Sequence, residues 1–467
     1  MEGSRPVTRL RLRPRLDPLA RGVQRVTAQA LGPYQTATVR IGFAATWLLF
    51  LLRELPHRHE LYGPDGPWSW DMARRLISAN DAFTALMWSD GHVWFEIVYF
   101  LAILSSALLL VGWRTRTMSV LFMIGVLSLQ NRSIFMGDGG DNVIHLMAIY
   151  LVFTRCGQVW SLDARRAARA AQPDRAIQPG RTAQPGRTAQ PGRTAQPGRT
   201  AQPDRTAQPD RTAQPDRTAR QDRVGPVLWW VLGLALSVVT FMGELNGYWP
   251  VLFWGLWLAQ GLWWFAGRRA PDGEARLLLD VVANLAHNAA LLVIMVEACL
   301  IYATAGWYKI QGSRWQDGTA VYYPLQLDYF SPWPALADLL SSHGVLVMLV
   351  TYGTVAVQVA FPFTLFNRRV KNVLLAVMIF EHAAIAVILG LPFFSLAMIA
   401  ADAVFLPTSF LRRLGGRVAR TRDGLLARVP RLPRTFVPSA RPVRSARPKE
   451  EPQVGEATER ARVGFGA

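Results

Sequence analysis

The feature that most constrains this chain is a series of apolar runs, each near 20 residues long and almost free of charge. About 20 apolar residues in a helix are enough to cross a hydrocarbon core roughly 30 Å thick. Ten such runs are readable, at 36–53, 92–112, 117–135, 142–156, 227–243, 248–267, 279–305, 343–366, 371–390 and 392–409. Only "GLPFF" separates the last two, and Pro392 breaks or kinks a helix there, so eight or nine spans remain open. The expected fold class is an all-α polytopic membrane protein of about ten transmembrane helices, with 8–10 allowed. Composition agrees: 51% of residues are hydrophobic and 17 are tryptophan.

A net charge of +19 is compatible with nucleic-acid binding, but the arginines lie in the N-terminal arm, a long linker and the C-terminal tail. Those places flank membrane segments, where arginine reports topology and contact with anionic lipid. The expected partner is therefore the lipid bilayer and not nucleic acid. With a cytoplasmic N-terminal arm, the even-numbered loops should be basic, and they are. Arg114 and Arg116, the linker, Arg268 and Arg269, "NRRVK" and "LRRLGGR" occupy those positions. Among the odd loops, 54–91 is mixed and aromatic and "MGDGGDN" (136–142) carries no base. The pattern predicts a multi-pass protein of the cell membrane with both termini cytoplasmic and residue 309 toward the outer face. Cys156 and Cys299 lie in apolar runs and read as small buried hydrophobes. No cleavable signal peptide is visible, because the first 30 residues are Arg-rich without an apolar stretch.

The organisation that follows is a basic cytoplasmic arm (1–35), a first membrane part (36–163), a linker (164–224), a second membrane part (225–410) and a tail (411–467). The linker holds "TAQPGR" three times from Thr182 to Arg199 and "TAQPDR" three times from Thr200 to Arg217. Proline every sixth residue and no large apolar side chain cannot build a core, so linker and Arg/Pro-rich tail are expected to be disordered.

Charged groups inside a membrane are costly and mark candidate sites. Only three lysines occur among the 51 basic residues, and one of them, Lys309, ends the run at 279–305 in "YATAGWYKIQGSRWQDG". Arginine would snorkel to the interface as well as lysine. Lysine, unlike arginine, loses its proton when desolvated and then serves as a general base. On a continuous helix Tyr302, Ala305, Gly306 and Lys309 share one face, where Ala305 and Gly306 admit a close neighbour. Trp315 and the pair Tyr322–Tyr323 suit an interfacial cover. His382 falls near the middle of the run 371–390; adjacent Glu381 points roughly 100° away, so the two do not readily share one site. His145 and His287 are weaker candidates. No spacing such as HxxxH links these histidines, and no metal site is expected. In "GDGGDN", Asp138, Asp141 and Asn142 lack the EF-hand spacing, and a tight turn capping the next helix is the plainer reading.

Four stretches together resemble a known family: "GDGGDNVIHLMAIYLVFTRCGQVWSLD", "LIYATAGWYKIQGSRWQDGTAVYY", "EHAAIAVILGLPFFSLAMI" and "ADAVFLP". They are similar to the HTTM (horizontally transferred transmembrane) domain, shared by vitamin K-dependent gamma-carboxylase and bacterial proteins like sporulation-delaying protein B. The resemblance spans roughly residues 36–410. In the carboxylase branch the lysine of AGxxK deprotonates reduced vitamin K, so the resemblance implies Lys309 as catalytic base, His382 as a second site residue and a quinone or vitamin K-like lipid as cofactor. The pocket candidates beside them are Tyr302, Gly306, Trp315 and Tyr322. This chain has Tyr308 where the carboxylase has a second lysine, and no large soluble portion follows its last run. The sporulation-delaying branch implies instead a non-enzymatic membrane factor for maturation, export or immunity of a secreted peptide. A transporter is the third class, without a visible inverted repeat or paired broken helices.

Overall fold

The computed structural model describes residues 18–170 and 223–428. All regular structure among the described residues is helical. In chain order the α-helices are α1 (Pro18–Ala28), α2 (Pro33–Glu54), α3 (Arg58–Tyr62), α4 (Trp70–Ala79), α5 (His92–Val111) and α6 (Thr115–Arg132). Next come α7 (Gly139–Val152), α8 (Leu162–Ala170), α9 (Val224–Phe241), α10 (Trp249–Arg269), α11 (Glu274–Gln311) and α12 (Ser313–Gln316). The last are α13 (Tyr322–Leu325), α14 (Pro334–Ser341), α15 (Gly344–Ala360), α16 (Arg368–Ile388), α17 (Pro392–Asp402) and α18 (Thr408–Arg428).

A helix stands at each of the ten apolar runs, but ten spans are not confirmed. Six segments are long and apolar enough to cross a membrane: Pro33–Tyr62, His92–Val111, Val224–Phe241, Glu274–Gln311, Gly344–Thr364 and Arg368–Ile388. A seventh exists if Pro392–Phe405 and Thr408–Arg422, bent by 118°, form one broken span. The shortfall has physical causes. At 14 residues α7 is only roughly 21 Å long, short of a hydrocarbon core. Polar ends, "TRTMS" and "LQNR", dilute α6, and α10 mixes its tryptophans with glycine, Gln260 and two terminal arginines.

The chain separates into two units, Met1–Gly416 and Arg417–Ala467, and every site below lies in the first. There α2 packs on α5 and α17, α5 on α6, α6 on α7, and α7 on α17. A second group pairs α11 with α15 and α16 with α17, so α17 touches both groups. The core runs through Val39, Phe43, Trp47, Tyr99, Phe122, Met147 and Ile294 and on to Tyr302, Phe361 and Met378. Close approach relies on small residues: a Cβ at Gly42 would lie 2.5 Å from that of Ala400, so α2 and α17 meet almost backbone to backbone. By contrast α9 buries only Gly233 and leaves Trp230, Val231 and Leu234 uncovered, the pattern of a helix solvated by lipid.

Two buried arginines, absent from the expected candidates, are structural. Arg40, fully buried in α2, donates to the carbonyls of Leu109, Leu110 and Trp160, capping the C-terminal end of α5. Arg132 donates to the carbonyls of Gly63 at 2.8 Å and Trp68 at 2.9 Å.

Three expected boundaries need correction. Helix α1 lies within the basic arm, and α2 begins at Pro33 instead of 36. Helix α8 extends through Ala170, inside the segment expected to be disordered from 164. Helix α18 runs to Arg428, beyond the expected start of the disordered tail at 411. In both cases "LDARRAARA" and "LRRLGGRVARTRDGLLAR" are rich in alanine, leucine and arginine, all good helix formers, and neither contains proline, so the proline-based expectation of disorder does not extend to them. The hexapeptide repeats and the rest of the tail lie outside the described residues.

Candidate functional site

Helix α11 organises the site. Its buried residues, Asn284, His287, Ala290, Ile294, Ala298, Tyr302 and Gly306, recur every three or four positions and form one stripe. Lys309 continues that stripe and is half-buried. At 38 residues α11 is roughly 57 Å long, so it overreaches a hydrocarbon core, and Lys309 lies two residues from its end. Gly306 brings α15 close, since a Cβ there would stand 2.6 Å from Val359 Cγ2. The predicted face is thus present, and the neighbour it admits is α15.

Two polar clusters hang on this stripe. In the deeper one, the Tyr302 hydroxyl lies 3.0 Å from both carboxylate oxygens of Asp402 on α17 and 3.1 Å from His382 Nε2 on α16. All three residues are at most 3% exposed. A tyrosine hydroxyl carries one proton and accepts others. The arrangement that pairs every donor has Tyr302 donating to Asp402 and His382 Nε2–H donating to Tyr302. That tautomer leaves His382 Nδ1 bare, and this buried nitrogen has no hydrogen-bond partner. Phe361 and Phe394 pack edge-on against Tyr302 and His382, with ring centroids 5.9 and 5.7 Å away.

Two turns further along α11, Lys309 Nζ donates to Gln358 Oε1 at 2.5 Å, and Gln358 Nε2 donates to Glu381 Oε1 at 2.9 Å. Thr354 also bonds the Glu381 carboxylate. The amine sits 5.1 Å from the Trp315 ring centroid, in cation–π range. Glu381 and His382 face different partners, as their spacing on a helix requires, yet both partners belong to the α11 stripe or its α15 neighbour. Adjacent residues therefore serve two clusters of one site.

Of the expected cover, Trp315 takes its place over Lys309. Tyr322 does not join the described contacts of the amine: it is 41% exposed and stacks edge-on against Tyr323, whose ring carries the Arg314 guanidinium at 4.7 Å. Residues missed in the sequence are Asp402, Gln358 and Thr354. Asp402 stands inside "ADAVFLP", where a lone carboxylate beside an apolar run was itself a signal.

The remaining candidates lie elsewhere in the unit. Asp138 caps α7, its Oδ1 accepting from the amides of Gly140 and Asp141, while Asp141 Oδ2 accepts from the Asp138 amide at 2.8 Å. This capping box matches the turn reading of "GDGGDN". Asn142 is exposed beside it, and His145 Nδ1 pairs with Gln130 Oε1 at 3.0 Å. His287 is a packing residue: it accepts from the Arg155 amide and bonds the Leu31 carbonyl. Among the described residues no cluster of His, Cys, Asp and Glu is placed to hold a metal. Outside the spans, burial pushes the Asp141 carboxyl up to about 6, with the charge of Asp138 adding to it and the Asp138 amide opposing it.

No family model matches the chain, and no solved structure matches it. The chain is similar to the uncharacterized protein YitO of Bacillus subtilis (strain 168), with 29% identity over 139 residues. That segment is 29% of this chain and 43% of YitO, so the chain spans less than half the length of the relative it matches.

Proposed function

We propose that this is an HTTM-like integral membrane protein, multi-pass with cytoplasmic termini, in which Lys309 is the base of a proton-abstracting site for a lipid-soluble quinol or a peptide substrate. The observation that carries the reading is the Lys309–Gln358–Glu381 chain at the end of a membrane-length helix, two turns of α11 from a buried Tyr302–His382–Asp402 cluster. When neutral, the amine gives one N–H to Gln358 and keeps its lone pair for a proton. Gln358 fixes the nitrogen, Trp315 covers it, and Glu381 compensates the ammonium that forms. Asp402, through Tyr302, holds the His382 ring with Nδ1 bare.

The residues present offer a vitamin K-like quinol one polar feature, the unpartnered His382 Nδ1, but that nitrogen is closed off beneath packed side chains such as Phe394 and gives a ring hydroxyl no place to sit. When bound, such a lipid supplies an acidic phenolic hydroxyl. The chain's own residues supply the base, its orientation and the exclusion of water.

The alternative is a non-enzymatic membrane factor handling a secreted peptide. It is favoured by one fact: the Lys309 amine and the Gln358 amide both already have protein partners, as in a purely structural polar clasp. The test is to purify wild type and Lys309→Arg from native membrane and identify the lipids that accompany each. The enzyme reading expects a quinone retained by wild type. Lipid profiles free of quinone would favour the structural clasp.

A further inference from the structure

A basic cluster lies at the end of α11 opposite Lys309. Arg116 on α6, Arg155 just after α7 and Arg276 in the first turn of α11 gather around one indole, that of Trp263 on α10. Their guanidinium carbons stand 4.2, 5.6 and 4.7 Å from its ring centroid. One carboxylate serves this group: Asp280 Oδ1 pairs with Arg155 at 3.3 Å and Asp280 Oδ2 with Arg276 at 3.1 Å, which holds those two arginines together. Arg116 is exposed, and among the described residues its guanidinium meets the Trp263 ring but no carboxylate.

The other polar groups at this end do not offset the excess. Asn284 Oδ1 accepts from Arg155 at 2.6 Å, and its Nδ2 donates to the Thr27 carbonyl. Gln260 Nε2 donates to Thr117 Oγ1 at 2.9 Å. Asp163 accepts from the Arg114 and Thr115 amides, and Glu274 is exposed without an ion pair to any of the three arginines. A guanidinium carries five N–H donors. Arg155 spends two on Asn284 and Asp280, and Arg276 two on Asp280 and the Trp263 carbonyl. What remains is a surplus of N–H donors and of positive charge, the chemistry that phosphate oxygens satisfy.

The surroundings say which phosphate. Arg276 and Asp280 occupy the first two turns of a membrane-length segment whose 38 residues overreach a hydrocarbon core, which puts them at headgroup depth. Leu262 and Phe265 on α10 and Leu277 and Leu278 on α11 are exposed close by in sequence, an apolar surface suited to acyl chains. A soluble phosphate has no use for such a border. We propose that Arg116, Arg155 and Arg276 bind the phosphate of an anionic lipid whose acyl chains lie along α10 and α11. The inference shares no residue with the Lys309 site and does not depend on chemistry there.

The test is native mass spectrometry of the purified full-length protein titrated with dioleoyl phosphatidylglycerol or dioleoyl phosphatidylcholine. Inorganic phosphate is added as a soluble competitor. The expected result is tighter binding of phosphatidylglycerol, which millimolar phosphate does not displace. Arg116→Gln should weaken it about tenfold, the factor one hydrogen bond to a charged group is worth, and Arg116→Lys should recover only part. Arg268, exposed and stacked on Trp264 instead, is the control: Arg268→Gln removes the same charge and should change binding by about twofold or less. Equal affinity for the two lipids overturns the proposal, as do equal losses in Arg116→Gln and Arg268→Gln, which would mean diffuse surface charge. Displacement by millimolar phosphate overturns the lipid as occupant. If the Arg116 variants fail to fold, the wild-type comparison of the two lipids decides alone.

Discussion

The hydroxyl of Tyr302 stands 3.0 Å from each carboxylate oxygen of Asp402, a residue 100 positions away in the chain. This contact ties α11 to α17, and through His382 to α16, in a part of the fold where both side chains are removed from solvent. A buried carboxylate without a donor is far more costly than a buried pair of apolar groups.

Tyr302→Phe removes the hydroxyl and strands Asp402. The expected loss is about 1–3 kcal/mol of stability, read as a lower midpoint in thermal or denaturant unfolding of the purified protein. Adding Asp402→Leu should recover part of that loss, because the stranded acceptor goes with it. A double variant as unstable as the sum of the two singles would mean that the groups do not interact.

Arg40 supplies donors to three carbonyls at the join of α5 and the turn at Trp160. Arg40→Met keeps much of the volume and leaves those carbonyls unpaired, for an expected cost of about 2–4 kcal/mol. Arg40→Lys should recover only a fraction, since one ammonium lacks the planar fork. Unfolding midpoints of the three proteins check the ordering.

Gly306→Ala places a methyl 2.6 Å from Val359 Cγ2 and should cost about 1–3 kcal/mol by forcing α11 and α15 apart. Val359→Ala in the same chain should relieve it. A Gly306→Ala protein as stable as wild type would contradict the close approach.

Asp141 provides a pH dependence. Its folded-state carboxyl, pushed up to about 6 by burial, lies above the ordinary carboxylate value near 3.8. A raised folded value means that the folded form holds the proton more tightly. The stability this contributes is complete below about pH 4 and is lost as pH rises through about 6. Asp138, Arg53, Glu54 and His145 surround the group. Asp141→Asn should therefore flatten the fall in unfolding midpoint between pH 4 and pH 6 relative to wild type. Parallel pH profiles for the two proteins would contradict the assignment.

The helices themselves were legible because apolar blocks declare themselves locally, and each of the ten runs became a helix. How many of them span was not, because α7 is too short and the chain bends by 118° between Phe405 and Thr408, features that hydropathy averages over. The face of Tyr302, Gly306 and Lys309 was readable because helical spacing is local. Its partners were not. Asp402 and Gln358 reach Tyr302 and Lys309 from helices distant in sequence, and one sequence carries no signal of that pairing. Glu381 and His382 were set apart by their angle, correctly for a single contact but not for a site built of two clusters.

The most direct measurement follows a naphthoquinol in air-saturated nanodiscs holding wild type, Lys309→Arg or His382→Gln, with quinol consumption recorded from pH 6 to pH 10. With Lys309 as base, wild type consumes quinol faster than empty nanodiscs, along a rising pH limb. Lys309→Arg falls to the empty-nanodisc rate at every pH although it keeps the positive charge. Equal rates and pH profiles for wild type and Lys309→Arg, or no wild-type consumption above the lipid control, would contradict the account.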